Sequence, residues 1–388
     1  MKIAHLSTFW PIGYGLSLYT DLLIQGMRAH RPLRHTILAE IGSAPAQTEA
    51  YECIPCYRRD EDYVEPIAAA AAVARPDVLI VQYAPDLFGH DNRLPRLLAR
   101  LREMGVRPVV NVHSVYPEAW RSGYRPGRSA AAFDRAMAEH ASLITVHSPR
   151  MKHDLITRGV APDLIAVVPH GSRILPEGDV AASRARLQIP QGAKVILFFG
   201  FLWLGKGIEF LLDVFRGVLR QVPEAFLLIG GHTRHRRWSF YVSALRARGA
   251  LLGVSRRCRF WGGFIPQDLV STVYATADVV AMPYRQDYSS VSGVMHETAG
   301  MGKLMLCSRI AKFDEVELSI DRALTADPND REAWTETMVR LLCDEEWARQ
   351  MKEKIRRFAE LTSWENVGKL HGDLYQRLIE GRSCDARP

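Results

Sequence analysis

No apolar run in the chain approaches the ~20 residues that a bilayer crossing demands. The first residues, MKIAHLSTFW, lack the charged-then-apolar layout of a secretory signal. A cytoplasmic protein is the expectation. Cysteine is scarce: six residues, Cys53, Cys56, Cys258, Cys307, Cys343 and Cys384, of which only the CIPC pair is closely spaced. With no second pair and no histidines at ligand spacing, the case for a zinc site is weak, and a redox pair would need a thioredoxin-like setting that is missing. These cysteines are read as incidental, and no metal ligand is assigned.

What is present is ordinary for a soluble globular chain, with 47% hydrophobic and 24% charged residues. At 388 residues the chain exceeds what a single core organises, so two domains are expected. The formal charge of +7 is concentrated in RSGYRPGRSAAAFDR (121–135), HTRHRRW (232–238) and SRRCRFW (255–261). Solvated loops are the first reading of any one cluster; peripheral contact with an anionic membrane, or a phosphate-bearing acceptor, is the sharper one. No nucleic-acid module appears, so nucleic acid is not an expected partner.

The first half opens with the buried-strand pattern KIAHLST, then Pro11, Gly13 and Gly15, then helical spacing through LSLYTDLLIQGM. Strand patterns recur at HTILAE, DVLIVQY, RPVVNVHS, LITVHS and IAVVPHG, separated by amphipathic stretches such as LPRLLARLREMG. After a composition shift around ILPEGDVAASRARLQIPQGAK, the alternation restarts with KVILFFGF, AFLLIGG, CRFWGGF, DVVAMPY and KLMLCS. Alternating strand and helix means parallel sheets covered on both faces. From REAWTETMVRLL onward the chain reads as helix, with Trp364 and Tyr375 as core or domain-bridging residues.

Several strand ends carry candidate chemistry. PIGYGLSLYT suggests a dinucleotide loop, with Glu40 as the ribose acid, but Leu18 stands where that fingerprint needs its third glycine. A glycine loop at a helix N-terminus, or a plain tight turn, are the alternatives. In GFLWLGKG (200–207), Lys206 stands between a strand and a helix, where its ammonium reaches phosphates; the Walker spacing and Ser/Thr are absent. His113 ends a strand in NVHSVYP, and His170 lies in VPHG. SSVSGVMHETAGMGK (289–303) reads as a loop entering a helix start, an anion site with Glu297 as the acceptor inside it.

Taken in order, GYG, HS, VPHG, GFLWLGKG, DVVAMPY, SSVSGVMHETAGMGK and a closing SWENV helix resemble glycosyltransferase family 4 over nearly the whole chain. The resemblance implies the α/β GT-B fold: two Rossmann-like domains with a cleft between them and a C-terminal helix bridging back. The expected divisions are residues 1–180 (acceptor domain), 181–365 (nucleotide-sugar domain) and 366–388. It implies retaining, metal-independent hexosyl transfer from a nucleotide-diphosphate sugar to a glycan, lipid-linked or small-molecule acceptor, with no cofactor. A degenerate scaffold and a sugar-nucleotide epimerase are the alternatives.

Residue by residue, the resemblance makes Glu297 the second glutamate of the E-x7-E motif, which holds the ribose. Gly293 and Val294 become backbone contacts of sugar and phosphates, Lys206 the diphosphate lysine, His113 the histidine near the donor sugar, and Gly13 and Gly15 the N-terminal glycine loop. Two positions depart from the pattern. Ser289 stands where the first glutamate belongs, with Ser289, Ser290 and Ser292 offering hydroxyls in its place. Phe201 stands where an arginine partners the lysine, with Arg285 or Arg173 as replacements.

Overall fold

The computed structural model describes residues 1–12, 15–117, 129–233, 239–261, 263–286 and 288–382. The chain forms two compact units: Met1–Gly171 with Tyr288–Val291 and Trp364–Pro388, and Ser172–Asp287 with Ser292–Ser363. The division falls at Gly171/Ser172 and Ser363/Trp364, where sequence reading placed it at 180/181 and 365/366. Ser172 explains the earlier break, because its amide donates to the Thr362 carbonyl at 2.7 Å and its hydroxyl lies 2.9 Å from that of Thr362.

Unit 1 is built on β1 (Lys2–Ser7), β2 (Arg34–Glu40), β3 (Ala46–Gln47), β4 (Tyr51–Tyr57), β5 (Val78–Tyr83), β6 (Arg107–Val112), β7 (Ser114–Val115), β8 (Leu143–Val146) and β9 (Ile165–Val167). Eight of these form one sheet in the order β3-β4-β2-β1-β5-β6-β8-β9, parallel except where β3 meets β4. Every residue of β5 is buried, including Gln82, as expected of a strand covered on both faces whose first four residues are apolar. The strand order reverses between β1 and β5, and the loops after their C-terminal ends flank the crevice where open α/β sheets take ligands.

The first helix (Gly15–Arg28) buries Tyr19, Leu23 and Met27 at i, i+4 and i+8. The last helix (Trp364–Ile379) belongs to the same unit and buries Trp364, Val367, His371 and Tyr375. The two helices pack backbone to backbone. A methyl added at Gly26 would lie 2.0 Å from the Trp364 carbonyl oxygen, and one at Gly368 would lie 2.1 Å from the Gly26 carbonyl carbon.

Unit 2 continues with β10 (Lys194–Phe199), β11 (Ala225–Gly230), β12 (Cys258–Phe260) and β13 (Val279–Met282). The next strand, β14 (Ser289–Ser290), lies in unit 1, antiparallel to β7, and β15 (Leu304–Ser308) and β16 (Thr325–Ala326) complete unit 2. Its six-stranded sheet is parallel throughout, ordered β12-β11-β10-β13-β15-β16, with the reversal between β10 and β13. Leu197, Val280 and Leu306 anchor its core beside Phe215 and the fully buried Trp334.

Candidate functional site

In unit 2 the loop after β10 ends in a single turn, Leu204–Lys206, before the helix Ile208–Gln221. Gly207 caps that turn with φ +63°, and a side chain there would put its Cβ 2.0 Å from the Pro283 carbonyl oxygen. The Arg285 amide donates to the Gly205 carbonyl at 3.0 Å. The loops after β10 and β13 are therefore clamped together at the reversal point, and glycine is required for the approach.

Lys206 is fixed within this clamp, its Nζ 3.5 Å from the centroid of the buried Tyr284 ring. Among the described residues no carboxylate pairs with it. Burial, with the Lys312 charge adding to it, holds its ammonium well below the ordinary lysine range. A cation so placed gains from an incoming anion.

At Gly200, φ +130°, an added Cβ would lie 3.8 Å from the Val294 side chain and 4.0 Å from the Tyr284 hydroxyl. Val294 lies in the first turn of the helix Gly293–Gly300, capped by Ser292, whose side chain accepts from the Met295 amide at 3.3 Å. The cap leaves the Gly293 and Val294 amides at the open end, where Gly293 is exposed. Glu297 follows one turn inside, half-buried, and burial pushes its carboxyl up to about 7, with Arg173 opposing the rise. Lys206, two open amides and Glu297 thus belong to one unit and one sheet edge.

The other expected site residues lie in unit 1. Ser290 is buried in β14 beside Ser289, whose hydroxyl donates to the Asp154 carboxylate. Of the three serines expected to offer hydroxyls, Ser289 is therefore engaged by Asp154, while Ser292 serves as the helix cap. Gly13 lies outside the described residues, and Gly15 opens the first helix with no atom within 4 Å of an added Cβ.

His113 follows β6 with both ring nitrogens engaged: Nε2 lies 2.8 Å from Gln82 Oε1 and Nδ1 3.2 Å from His147 Nε2. Burial, reinforced by the neighbouring His147, holds its pKa well below the usual histidine value. Tyr19 sets the ring in place, edge-on to His113 at 4.6 Å and to Trp364 at 4.9 Å between centroids. His170, half-buried, joins the same aromatic group at 5.2 Å from Tyr19.

Residues 15–171 match the family described as Glycosyl transferase 4-like domain, and residues 193–344 match Glycosyl transferases group 1. The chain belongs to the family 4 glycosyltransferases. Its relatives include the D-inositol 3-phosphate glycosyltransferases of Corynebacterium efficiens, 28% identical over 262 residues (65% of this chain, 60% of the relative), and Corynebacterium urealyticum, 32% identical over 222 residues (55% and 51%). The chain thus spans between half and three fifths of the length of these relatives. Among solved structures, sucrose-phosphate synthase from Thermosynechococcus elongatus superposes with a TM-score of 0.76 at 20% identity, covering 98% of this chain and 100% of that one. Anabaena HepE in complex with UDP gives 0.75 at 16% identity, covering 97% and 100%. The fold of this family 4 chain is GT-B.

Within this family 4 chain, Glu40, weighed above as a ribose acid, pairs with Arg59. Burial pushes the thiols of Cys53 and Cys56 up to about 11 and about 12, which suits inert cysteines. Among the described residues no group of three His, Cys, Asp or Glu could hold a metal ion, and no helix is long and apolar enough to cross a membrane. The basic clusters at 121–135 and 232–238 lie partly outside the described residues; in the third, Arg256 and Arg257 are exposed, while Arg259 donates to the Leu187 carbonyl.

Sequence reading missed Tyr284, Tyr19 and Gln82. Tyr284 had a signal, as the aromatic closing the strand motif DVVAMPY, but nothing in the sequence told of the lysine lying over it.

Proposed function

We propose that the protein is a retaining glycosyltransferase that moves a hexosyl group from a nucleotide-diphosphate sugar to a hydroxyl of a glycan, lipid-linked or small-molecule acceptor. One observation carries the reading. A lysine with no carboxylate partner among the described residues and the open N-terminus of the Gly293–Gly300 helix border the same sheet edge, with Glu297 one turn inside. Fixed positive charge and unpaired amides suit a leaving diphosphate, and catalysis by such preorganised groups needs no reorganisation at the moment of reaction. Glu297 suits the ribose hydroxyls, for which it is the acceptor.

In this reading the bond from the sugar's anomeric carbon to the diphosphate oxygen breaks while the acceptor oxygen bonds to that carbon on the same face. The acceptor's proton passes to the departing phosphate oxygen, so paired carboxylates are not required. No metal is assigned a role. His113 is given a positioning role in this reading, since both of its ring nitrogens are engaged. The phosphates in the names of the inositol-phosphate relatives, and of the Agrobacterium fabrum mannosylfructose-phosphate synthase that is 23% identical over 225 residues, make phosphorylated polyols and sugars the first acceptors to try.

The test is thermal denaturation with UDP, GDP, ADP and dTDP and their sugar derivatives, in EDTA, followed by transfer assays with anomeric analysis by NMR. One diphosphate should raise the melting temperature, since a ligand bound only by the folded state stabilises it. No shift with any of them would sink the donor reading. Donor consumption without an acceptor would point to the epimerase alternative.

A further inference from the structure

A diphosphate leaving group carries more charge than one lysine balances, and the position from which the family supplies an arginine holds Phe201. Its ring meets that of His232 edge-on at 5.2 Å between centroids, and His232 in turn meets Phe264 edge-on at 5.4 Å. The loop after β10 therefore presents an aromatic surface there, not a second cation. Arg285 is exposed and engaged elsewhere, its guanidinium carbon 5.1 Å from the centre of Phe210 and one nitrogen 3.4 Å from the Pro328 carbonyl oxygen.

Arg173 differs. It is half-buried, its Nε is buried with no acceptor, and among the described residues no carboxylate pairs with it. A buried N–H left without a partner costs ~1–3 kcal/mol, so such groups call for an explanation. Position supplies one. A methyl at Gly300 would lie 2.3 Å from the Arg173 carbonyl oxygen, so the Arg173 backbone lies against the helix Gly293–Gly300 at its C-terminal end.

Gly293, Glu297 and Gly300 are spaced i, i+4 and i+7 and share one helix face. The distance along the axis from Gly300 back to Gly293 is ~10 Å. An extended arginine side chain is long enough to cover most of that distance. The Arg173 charge opposes the effect of burial on the Glu297 carboxyl, one turn from the open end.

We propose that Arg173 supplies the second cation for the donor's diphosphate, replacing the arginine missing at Phe201. The guanidinium meets the phosphates from the far side of Glu297, with Lys206 and the Gly293 and Val294 amides completing the set. Arginine suits this role better than lysine because its planar fork takes two phosphate oxygens at once. This assignment rests on the donor reading above.

The experiment compares the nucleoside diphosphate that stabilises the wild type with its parent nucleoside, by calorimetric titration of four proteins: wild type, Arg173→Gln, Phe201→Arg and the double variant. Loss of a charged hydrogen-bonding partner predicts a drop of about tenfold or more in diphosphate affinity for Arg173→Gln. Nucleoside affinity should stay unchanged. Phe201→Arg should recover the diphosphate affinity in the Arg173→Gln background and add little to the wild type.

Equal losses for nucleoside and diphosphate would show Arg173 acting only through Glu297, and would overturn the proposal. Unchanged affinity in Arg173→Gln would overturn it as well. Should Arg173→Gln fail to fold, Phe201→Arg alone still decides, because a large gain over wild type would mean that no second cation was in place. A wild type that binds no nucleotide would overturn the donor reading itself, and the role of Arg173 with it.

Discussion

The ammonium of Lys206 lies 3.5 Å from the centre of the Tyr284 ring, over a side chain that is only 1% exposed. The face of the ring is the negative pole available to this lysine, and a desolvated cation–π contact is worth ~2 kcal/mol. It holds the charge in position without neutralising it, as a carboxylate would.

Tyr284→Phe should therefore leave diphosphate affinity close to wild type, whereas Tyr284→Leu should weaken it several-fold. Lys206→Ala should remove most turnover, by ~100-fold or more in kcat, the scale of losing one charge-stabilising group. Steady-state kinetics on the three variants check this, and intact transfer by Lys206→Ala would mean that the site is misassigned.

Glu297 predicts a trade between stability and binding. Its carboxyl is raised to about 7 in the folded protein from an ordinary 4.5, so between those values the folded state holds more protons than the unfolded. Stability then falls as pH rises from about 4.5 to about 7, and the ionised group costs up to ~3 kcal/mol above that range. Glu297→Gln should raise the melting temperature at pH 8, change it little at pH 4, and weaken nucleotide binding at both. Equal melting shifts at the two pH values would refute the buried-carboxylate account.

Unit 1 should respond to pH in the opposite sense. Burial lowers His35 to about 4 and His371 to about 3, so on acidification the unfolded chain takes up protons first. Stability is complete above about 6.5 and drains away as pH falls towards those values. His371 Nδ1 lies 2.8 Å from the Tyr375 hydroxyl, and His371→Gln keeps a polar partner for that group without titrating. Urea unfolding at pH 7 and pH 5 should show the variant losing less stability on acidification than the wild type.

Strands were legible because parallel sheets bury both faces. DVLIVQY became β5, KVILFFGF became β10 and AFLLIGG became β11, each built on an apolar run of four or more residues. YECIPCY gave no strand signal, because Glu52 and Pro55 break its apolar run and only two of its seven residues are buried in β4. The Lys206 turn and the Glu297 helix were readable because glycine, cap and charge lie within a few residues of one another. What was not readable depends on distant pairing. The Ser172–Thr362 contact that sets the unit boundary, and the Ser289–Asp154 contact, each join residues more than a hundred positions apart and leave no local pattern.

Two glycines of the last helix separate packing from propensity. A methyl at Gly368 would fall 2.1 Å from backbone of the first helix, which cannot yield as a flexible side chain would, whereas one at Gly372 meets nothing within 4 Å. Alanine gains ~1 kcal/mol of helix propensity over glycine at either site. At Gly368, overpacking of ~1–3 kcal/mol opposes that gain and should exceed it, because parting the helices also disturbs the Tyr19–Trp364 contact. Gly372→Ala should therefore stabilise the protein and Gly368→Ala destabilise it, a difference in sign that urea denaturation resolves. If both variants are stabilised, the close approach of Gly26 and Gly368 does not limit the packing of these helices.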